Sequence, residues 1–167
     1  MNDSRPWLPP DFEHPERVEL PTGHHLRPIR ESDLGIDYPA VMGSRDHLWA
    51  IFGEPWGWPP ETMTVEQDRA DLARHEQEIR DHVSFNYALL DAGESRLFGC
   101  VYIDPAEKVG ADADISWWVV IDDEAAPLRT TLADFVPTWV ADTWPFTAPR
   151  FIGRDLSWKD WLALPGR

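Results

Sequence analysis

FNYALLD (85–91), RLFGCVYIDP (96–105) and ADADISWWVV (111–120) are three hydrophobic runs separated by turn residues. Their side chains alternate between two faces that are both largely apolar, as in a sheet that helices cover on both sides. The pattern predicts consecutive antiparallel strands over 84–91, 96–104 and 113–121. We therefore expect a mixed α/β (α+β) domain with a mostly antiparallel sheet flanked by helices.

Helical patterns lie on both sides of these runs. Thr64 and Gln67 form a capping-box pattern that predicts a helix over 64–82, with an apolar stripe at Val65, Leu72, Ile79 and Val83. Further helices are predicted at 38–52, at 128–143 and from Ser157. A breaker-rich loop follows the first of them at 53–60, and Pro137 should kink or split the second. An opening strand at 18–29 and a further strand at 150–153 complete the expected elements.

The length of 167 residues and the hydrophobic content of 43% suit one compact domain. We expect a single domain at 18–167, preceded by a proline-rich arm at 1–17 that packs through Trp7 and Phe12. The polar N-terminus is unlike a secretion signal, and no apolar run is long enough to span a membrane. These features predict a cytoplasmic protein.

The formal net charge is −15. This charge repels phosphate backbones and anionic lipids, so we expect neither nucleic acid nor membrane as a partner. The single cysteine, Cys100, lies in an apolar strand and is interpreted as a buried thiol. The histidine spacings, including His24-His25 and His75 with His82, supply no cluster of three ligands, so no metal site is expected.

The order of elements over about 18–155 resembles the Gcn5-related N-acetyltransferase (GNAT) superfamily, with its acyl-CoA N-acyltransferase fold. The segments that carry the resemblance are 26–34, 97–103 and 115–120. The resemblance implies transfer of an acetyl group from acetyl-CoA to a small-molecule amine or a protein amino group. It also implies that the strand at 115–120 splays from its neighbour and binds the pantetheine arm through the backbone of Trp118, Val119 and Val120.

The segment 121–129 departs from that superfamily. Its members place a glycine-rich loop there, which binds the pyrophosphate at a helix N-terminus. This sequence has no glycine between Ala111 and Thr147, and Asp122, Asp123 and Glu124 put negative charge at that position. With Arg129 as the nearby cation, the segment predicts weak or absent binding of acetyl-CoA.

Amine acetylation needs a base for the acceptor ammonium and an acid for the leaving thiolate. Asp114 is the candidate base, with Glu31 and Glu54 as alternatives. Tyr102 or Tyr87 is the candidate acid. These residues also have structural interpretations: the aspartate lies at a solvated entry to a strand, and the tyrosines pack in the core.

Trp56 and Trp58, next to Glu54, lie where this fold builds acceptor specificity. An aromatic wall beside a carboxylate suits a cationic amine through cation–π attraction, although tryptophans in a proline-rich loop also serve as packing anchors. The candidate substrate-binding residues are Glu31, Glu54, Trp56, Trp58 and Tyr87.

The sequence also ends sooner after the 150–153 strand than is usual in this superfamily. We expect the corresponding wall of the cleft to be missing, or supplied by the arm or by a partner chain in a homodimer. Two functions remain open. The protein is either an acetyl-CoA-dependent N-acetyltransferase or a catalytically silent relative that binds a small molecule or forms an oligomer.

Overall fold

The computed structural model describes residues 6–167, so residues 1–5 of the predicted arm lie outside the described part. One sheet has six strands in chain order, and every neighbouring pair is antiparallel except β5 and β6. The strands are β1 Val18–Glu19, β2 His25–Pro28, β3 Phe85–Leu90, β4 Leu97–Pro105, β5 Ala113–Val119 and β6 Pro149–Phe151. The helices are α1 Leu34–Gly43, α2 Arg45–Trp56, α3 Val65–Arg80, α4 Ala126–Thr143 and α5 Trp158–Ala163.

The three central strands confirm the predicted antiparallel runs. Residues of β3 are buried on both faces because helices cover both sides of the sheet. At Gly99 in β4 a side chain would collide with the carbonyl oxygen of Trp118 in β5. Glycine therefore allows these two strands to approach closely at this point.

The two faces of the sheet have different covers. Tyr87 on β3 packs edge-to-face against Trp139 of α4, so α4 lies on one face. Asn86, Cys100 and Trp118 point to the opposite face, because neighbouring residues on a strand alternate. Helices α1 and α3 contact β4 and β3, respectively, on that second face.

Several helix boundaries differ from the prediction. The predicted 38–52 helix is divided at Ser44 into α1 and α2, and α2 continues through Pro55 into the predicted loop. Pro137 does not split α4, which is assigned as one helix. Helix α3 has the predicted capping box, in which the backbone N–H of Gln67 donates to the Thr64 hydroxyl at 3.1 Å.

The apolar stripe predicted for α3 is only half correct. Leu72 and Ile79 are buried, as their spacing predicts. Val65 and Val83 are 43% and 53% exposed, because one lies in the first helical turn and the other beyond the helix end. The buried stripe is therefore short, and polar residues of α3 also face the sheet.

Both ends of the described chain pack on the domain. In the arm, Trp7 Nε1 donates to the His82 carbonyl at 2.7 Å, and Phe12 packs against Trp144. At the other end, Trp158 of α5 packs edge-to-face on Phe52 and Trp56 of α2. The predicted helix from Ser157 is thus present as α5, whereas the expectation of a missing or partner-supplied cleft wall stays a prediction. No helix within residues 6–167 is both long enough and apolar enough to cross a membrane.

Candidate acceptor cleft and donor edge

A cleft of about 750 Å³ lies between the sheet and helices α1 to α3. Its floor is formed by Asn86, Cys100, Tyr102 and Trp118, whose side chains point to this face of the central strands. Its walls come from α1, from α3 and from the segment that follows α2. The volume is in the range of small-molecule sites.

The cleft is strongly acidic. Six carboxyl residues line it, whereas Arg74 is its arginine and His75 its histidine. Burial lowers the pKa of His75, and the neighbouring Arg74 lowers it further, so the imidazole is neutral near pH 7. The carboxyl residues are Asp37, Asp68, Asp71, Glu78, Asp104 and Glu107.

Asp37 and Asp68 face each other across the α1–α3 contact. They are 4% and 2% exposed, and neither forms a salt bridge within the described chain. Burial raises the pKa of Asp37 well above its ordinary value, and the adjacent Asp68 raises it further. Burial also raises the pKa of Asp68. Two buried carboxyls this close cannot both be charged at low cost, so the pair retains a proton.

Asp104, near the end of β4, is half-buried in the same cleft. Burial, followed by the charges of Glu107, Asp114 and Glu78, raises its pKa to about 8. A carboxyl with this pKa is mostly protonated at pH 7 and becomes a base as the pH rises past about 8. The sequence prediction missed Asp104, although strand alternation places it on the same face as Tyr102.

Two buried acceptor atoms in the cleft have no hydrogen-bond partner among residues 6–167. They are Oδ2 of Asp68 and Oδ1 of Asn86, and both side chains are more than nine-tenths buried. The proton that the Asp37–Asp68 pair retains supplies a donor to Asp68. An unpaired buried acceptor costs free energy, so Asn86 Oδ1 marks a place for a hydrogen-bond donor.

The candidate base Asp114 has a different environment. Its Oδ1 accepts from Arg150 Nε at 2.7 Å, and its Oδ2 accepts from Trp161 Nε1 at 3.1 Å. The pair with Arg150 is buried. Because both oxygens are engaged, this geometry fits a structural carboxylate that joins β5, β6 and α5, rather than a base free to accept a proton.

Tyr102 and Trp118 are joined on the cleft floor. The hydroxyl of Tyr102 accepts from Trp118 Nε1 at 2.8 Å, which leaves the hydroxyl proton available to donate. Burial raises the pKa of Tyr102 well above its ordinary value, so the phenol stays protonated. Tyr102 therefore has a donor at the position expected of an acid.

The other predicted substrate residues are divided between the cleft and the rest of the surface. Trp56 and Trp58 line the cleft, but Trp56 belongs to α2 rather than to a loop. Glu31 and Glu54 do not line it. Tyr87 lies on the opposite face, where its hydroxyl donates to the Pro15 carbonyl at 2.8 Å, so its prediction as a cleft residue is wrong.

The outer edge of β5 is open beyond Ile115. Strand β6 pairs with β5 only over Ala113–Ile115, and within residues 6–167 no other strand pairs with that edge. The Val120 amide donates to Phe98 in the direction of β4. By alternation, the backbone of Val119 faces the open edge instead. Strand β5 therefore has unpaired backbone groups along this edge beyond Ile115, and pantetheine binding there stays a prediction.

Two arginines lie close to the carboxylates of segment 121–129 and partly neutralise their negative charge. Arg96, from the β3–β4 hairpin, forms ion pairs with Asp122 and Glu124. Arg129 donates to the Val120 carbonyl at 2.6 Å and so stays beside the start of α4. The interpretation of Arg129 as the only nearby cation is wrong, because the hairpin brings Arg96 there from a distant part of the sequence.

The charge of the cleft and that of the start of α4 differ. The acidic cleft repels phosphate groups. At the start of α4, Arg96 and Arg129 lie beside the carboxylates of residues 122–124, although Asp123 has no ion-pair partner in the described chain. The start of α4 is therefore less unfavourable to an anion than the cleft is.

Comparisons with known proteins identify the fold. No family model matches the sequence, and the search of curated proteins found no significant match. Among solved structures, the ribosomal-protein-S5-alanine acetyltransferase of Vibrio fischeri is similar at a TM-score of 0.58 and 16% identity, over 91% of this chain and 79% of that chain.

Two further structures have the same fold. A ribosomal L7/L12 α-N-protein acetyltransferase in complex with coenzyme A is similar at a TM-score of 0.56 and 15% identity, over 75% of this chain and 68% of that one. FdhC, a nucleotide-linked sugar GNAT, is similar at 0.55 and 11% identity, over 81% and 71%. Within residues 6–167 no group of three or more His, Cys, Asp or Glu residues is placed to hold a metal ion. The chain therefore has the fold of the GNAT superfamily, as its sequence predicted.

Proposed function

We propose that this protein is an N-acetyltransferase that transfers an acetyl group from acetyl-CoA to a cationic amine. The observation that carries the proposal is the joint position of an acidic aromatic cleft and an open strand edge on β5. Trp118 of β5 forms part of the cleft floor, and Val119 follows it at the edge. One strand thus separates a cation-binding cleft from a slot for the donor.

Asp104 is the proposed base, in place of Asp114. It lies in the cleft, and its pKa of about 8 means that it becomes ionised, and able to accept a proton from the acceptor ammonium, as the pH rises past about 8. Acetyl-CoA, when bound, supplies the acetyl thioester that the neutral amine attacks. Tyr102 is the proposed acid, because its hydroxyl keeps its own proton while Trp118 Nε1 donates to the oxygen.

The proposed binding position of acetyl-CoA is at the start of α4. Arg96 and Arg129 supply positive charge, and Val119 supplies backbone groups at the β5 edge. The glycines that would allow the closest approach of a pyrophosphate are absent from this segment. We therefore expect acetyl-CoA to bind more weakly than at a glycine-rich loop, but still saturably.

The second candidate function is a catalytically silent binding protein. The carboxylates at 122–124 favour it, because Asp123 opposes a bound phosphate without a compensating partner in the described chain. The two functions share the acidic cleft, so they differ in donor binding and turnover alone.

The deciding experiment combines calorimetric titration with acetyl-CoA and an assay for released coenzyme A thiol in the presence of octylamine. The proposal expects saturable binding, thiol release and an acetylated amine detected by mass spectrometry. Amine binding with neither acetyl-CoA binding nor thiol release would establish the silent function instead. Asp104→Asn is the matched control, because it removes the base but not the donor site.

A further inference from the structure

The N-terminal arm is fastened to the domain at three points. Trp7 Nε1 donates to the His82 carbonyl at 2.7 Å, and the rings of His14 and His82 share a hydrogen bond of 3.0 Å. The hydroxyl of Tyr87 donates to the Pro15 carbonyl at 2.8 Å. Two of these contacts therefore end on one residue, His82, in the turn between α3 and β3.

Aromatic rings fill the space beneath the arm. Trp7 stacks on Phe146 with ring centroids 5.5 Å apart and lies 5.9 Å from Phe85. Phe12 packs on Trp144 at 5.2 Å. These apolar contacts carry no charge, so among the contacts of the arm described here the histidine pair alone changes its charge near neutral pH.

The hydrogen bond between the two imidazoles depends on protonation. When at least one ring is neutral, a nitrogen of one ring donates and the facing nitrogen of the other accepts. When both rings are protonated, two N–H groups face each other and no acceptor is left between them. The two positive charges then also repel each other at a partly buried site. Acid therefore removes this fastening.

The surroundings of His14 favour the same direction. Burial lowers the pKa of His14, Glu16 at 3.5 Å raises it, and the charge of His82 lowers it again, with a net shift below the ordinary value of 6.5. In the free arm the imidazole regains that ordinary value. The free arm thus binds protons more readily than the seated arm, so release is favoured as the pH falls below about 6.5.

The other groups packed on His82 offer no opposite charge. Its ring contacts the aromatic rings of Phe12 and Phe85. The neighbouring carboxylate of Asp81 accepts from Gln77 on α3. A positive charge on His82 is therefore not neutralised by the elements that pack against it in the described chain.

The turn that holds the arm also contributes to the acidic cleft. His82 has a φ of +53°, in the left-handed region that residues other than glycine rarely adopt. The arm holds both its carbonyl and its ring. The residues that follow, Val83, Ser84 and Phe85, line the cleft. The seated arm thus braces part of the cleft lining.

We propose that the arm is an acid-sensitive strap, which stays seated while at least one ring of the His14–His82 pair is neutral and opens when both are charged. The inference goes beyond the proposed acetyl transfer and does not depend on it. Opening of the strap leaves the 83–85 segment of the cleft lining without its brace.

Acid should act in opposite directions on the strap and on the rest of the domain. The raised pKa values of Asp37 and Asp104 favour the folded domain as the pH falls. An arm that loosens on a domain that becomes more stable is therefore distinct from general acid unfolding.

Hydrogen–deuterium exchange with mass spectrometry measures the two parts separately, once the rates are corrected for the pH dependence of exchange in an unfolded peptide. Between about pH 8 and about pH 5, the corrected exchange of an arm peptide should rise by about tenfold or more, because the two charges repel at close range. The corrected exchange of a β4 peptide should not rise. An arm that is equally protected at both pH values would overturn the inference.

Variants test the assignment to the histidine pair. His14→Phe keeps an aromatic ring but does not titrate, so the acid-induced rise in arm exchange should disappear. His24→Phe, an equal change in the turn between β1 and β2, should retain the rise. If His14→Phe leaves the arm open at both pH values, His14→Gln, whose amide can donate to or accept from His82, takes its place. A rise that persists in a seated His14 variant assigns the release to other groups and contradicts the inference.

Discussion

Asp104 and Asp114 are direct partners across the β4–β5 ladder, and Asp114 is paired with an arginine whereas Asp104 has no such partner in the described chain. Two carboxylates on neighbouring strands repel each other unless one is neutralised or protonated. Arg150 neutralises Asp114, and burial beside Glu107 and Glu78 leaves Asp104 with a raised pKa. The two positions therefore differ in environment, and the proposed roles follow from this difference: a structural role for Asp114 and a chemical one for Asp104.

Asp104→Asn should lower kcat/KM for amine acetylation by about 100-fold or more, which is the usual contribution of a general base. In the unmodified protein, kcat/KM should rise with pH, reach half of its maximum near pH 8 and level off at higher pH, because Asp104 has a pKa of about 8. The measurement is a pH–rate profile of thiol release. Glu107→Gln should move the rising limb to lower pH, and a limb that persists in Asp104→Asn would assign the base elsewhere.

Asp114→Ala should instead reduce stability. Its removal leaves the Arg150 guanidinium largely buried without its carboxylate and frees the indole N–H of Trp161. Breaking a buried pair in this way costs about 3–5 kcal/mol in the free energy of unfolding. Urea denaturation measures the loss. Asp112→Ala, which removes a half-buried carboxylate at the entry to β5 whose hydrogen-bond partners are uncharged, should cost less, and equal losses would contradict the role given to Asp114.

Stability should fall as pH rises. The pKa of Asp104 is about 8 in the folded protein and near its ordinary value, 3.8, in the unfolded chain. Between these values the folded state binds more protons, so the free energy of unfolding decreases with increasing pH, by at most about 1.4 kcal/mol per pH unit for one proton. Asp37 and Asp68, whose pKa values are also raised, act in the same direction.

Asp104→Asn should remove part of this slope, because asparagine does not titrate. The variant should be more stable than the unmodified protein at about pH 9 and gain little at about pH 4, where Asp104 is protonated in the folded state. Denaturation curves at both pH values test the expectation. A variant that is destabilised equally at both would show that Asp104 is stabilising as a carboxylate.

Asp123→Asn should tighten acetyl-CoA binding about fivefold. Asp123 is exposed at the start of α4, and the loss of one unit charge about 4 Å from a phosphate is worth about 1 kcal/mol in water. Calorimetry at low and high salt measures the effect, which screening should reduce. Asp134→Asn, an exposed change farther along α4, is the control. No difference between the two variants would place the phosphates away from this segment.

Much of the fold could be predicted from local patterns. The alternation in β3, β4 and β5 and the capping box at Thr64 identified the central elements, because these signals depend on residues close in sequence. The uninterrupted α4 was not predicted, because tertiary packing overrides the local preference of Pro137. The break at Ser44 was missed although it follows Gly43, a residue that weakens helices.

The site could be predicted less well. Trp56, Trp58, Tyr102 and Trp118 were selected from sequence and line the cleft. Asp104 was missed because it belongs to no sequence motif. Its pKa is raised by burial and by the charges of Glu107, Asp114 and Glu78. Tyr87 was misplaced, because the sequence shows that strand residues alternate but not which face carries the cleft.

The sequence by itself determined the order of the elements, the sheet and the negative charge, since each follows from neighbouring residues or from composition. The tertiary structure decided which carboxylates are paired. It brings Arg150 to Asp114 and Arg96 to Asp122 over 36 and 26 residues, and it leaves the inner acids of the cleft without a cationic partner in the described chain. Charge pairing and burial depend on distances in space, so the chemistry of this site is fixed only once the chain has folded.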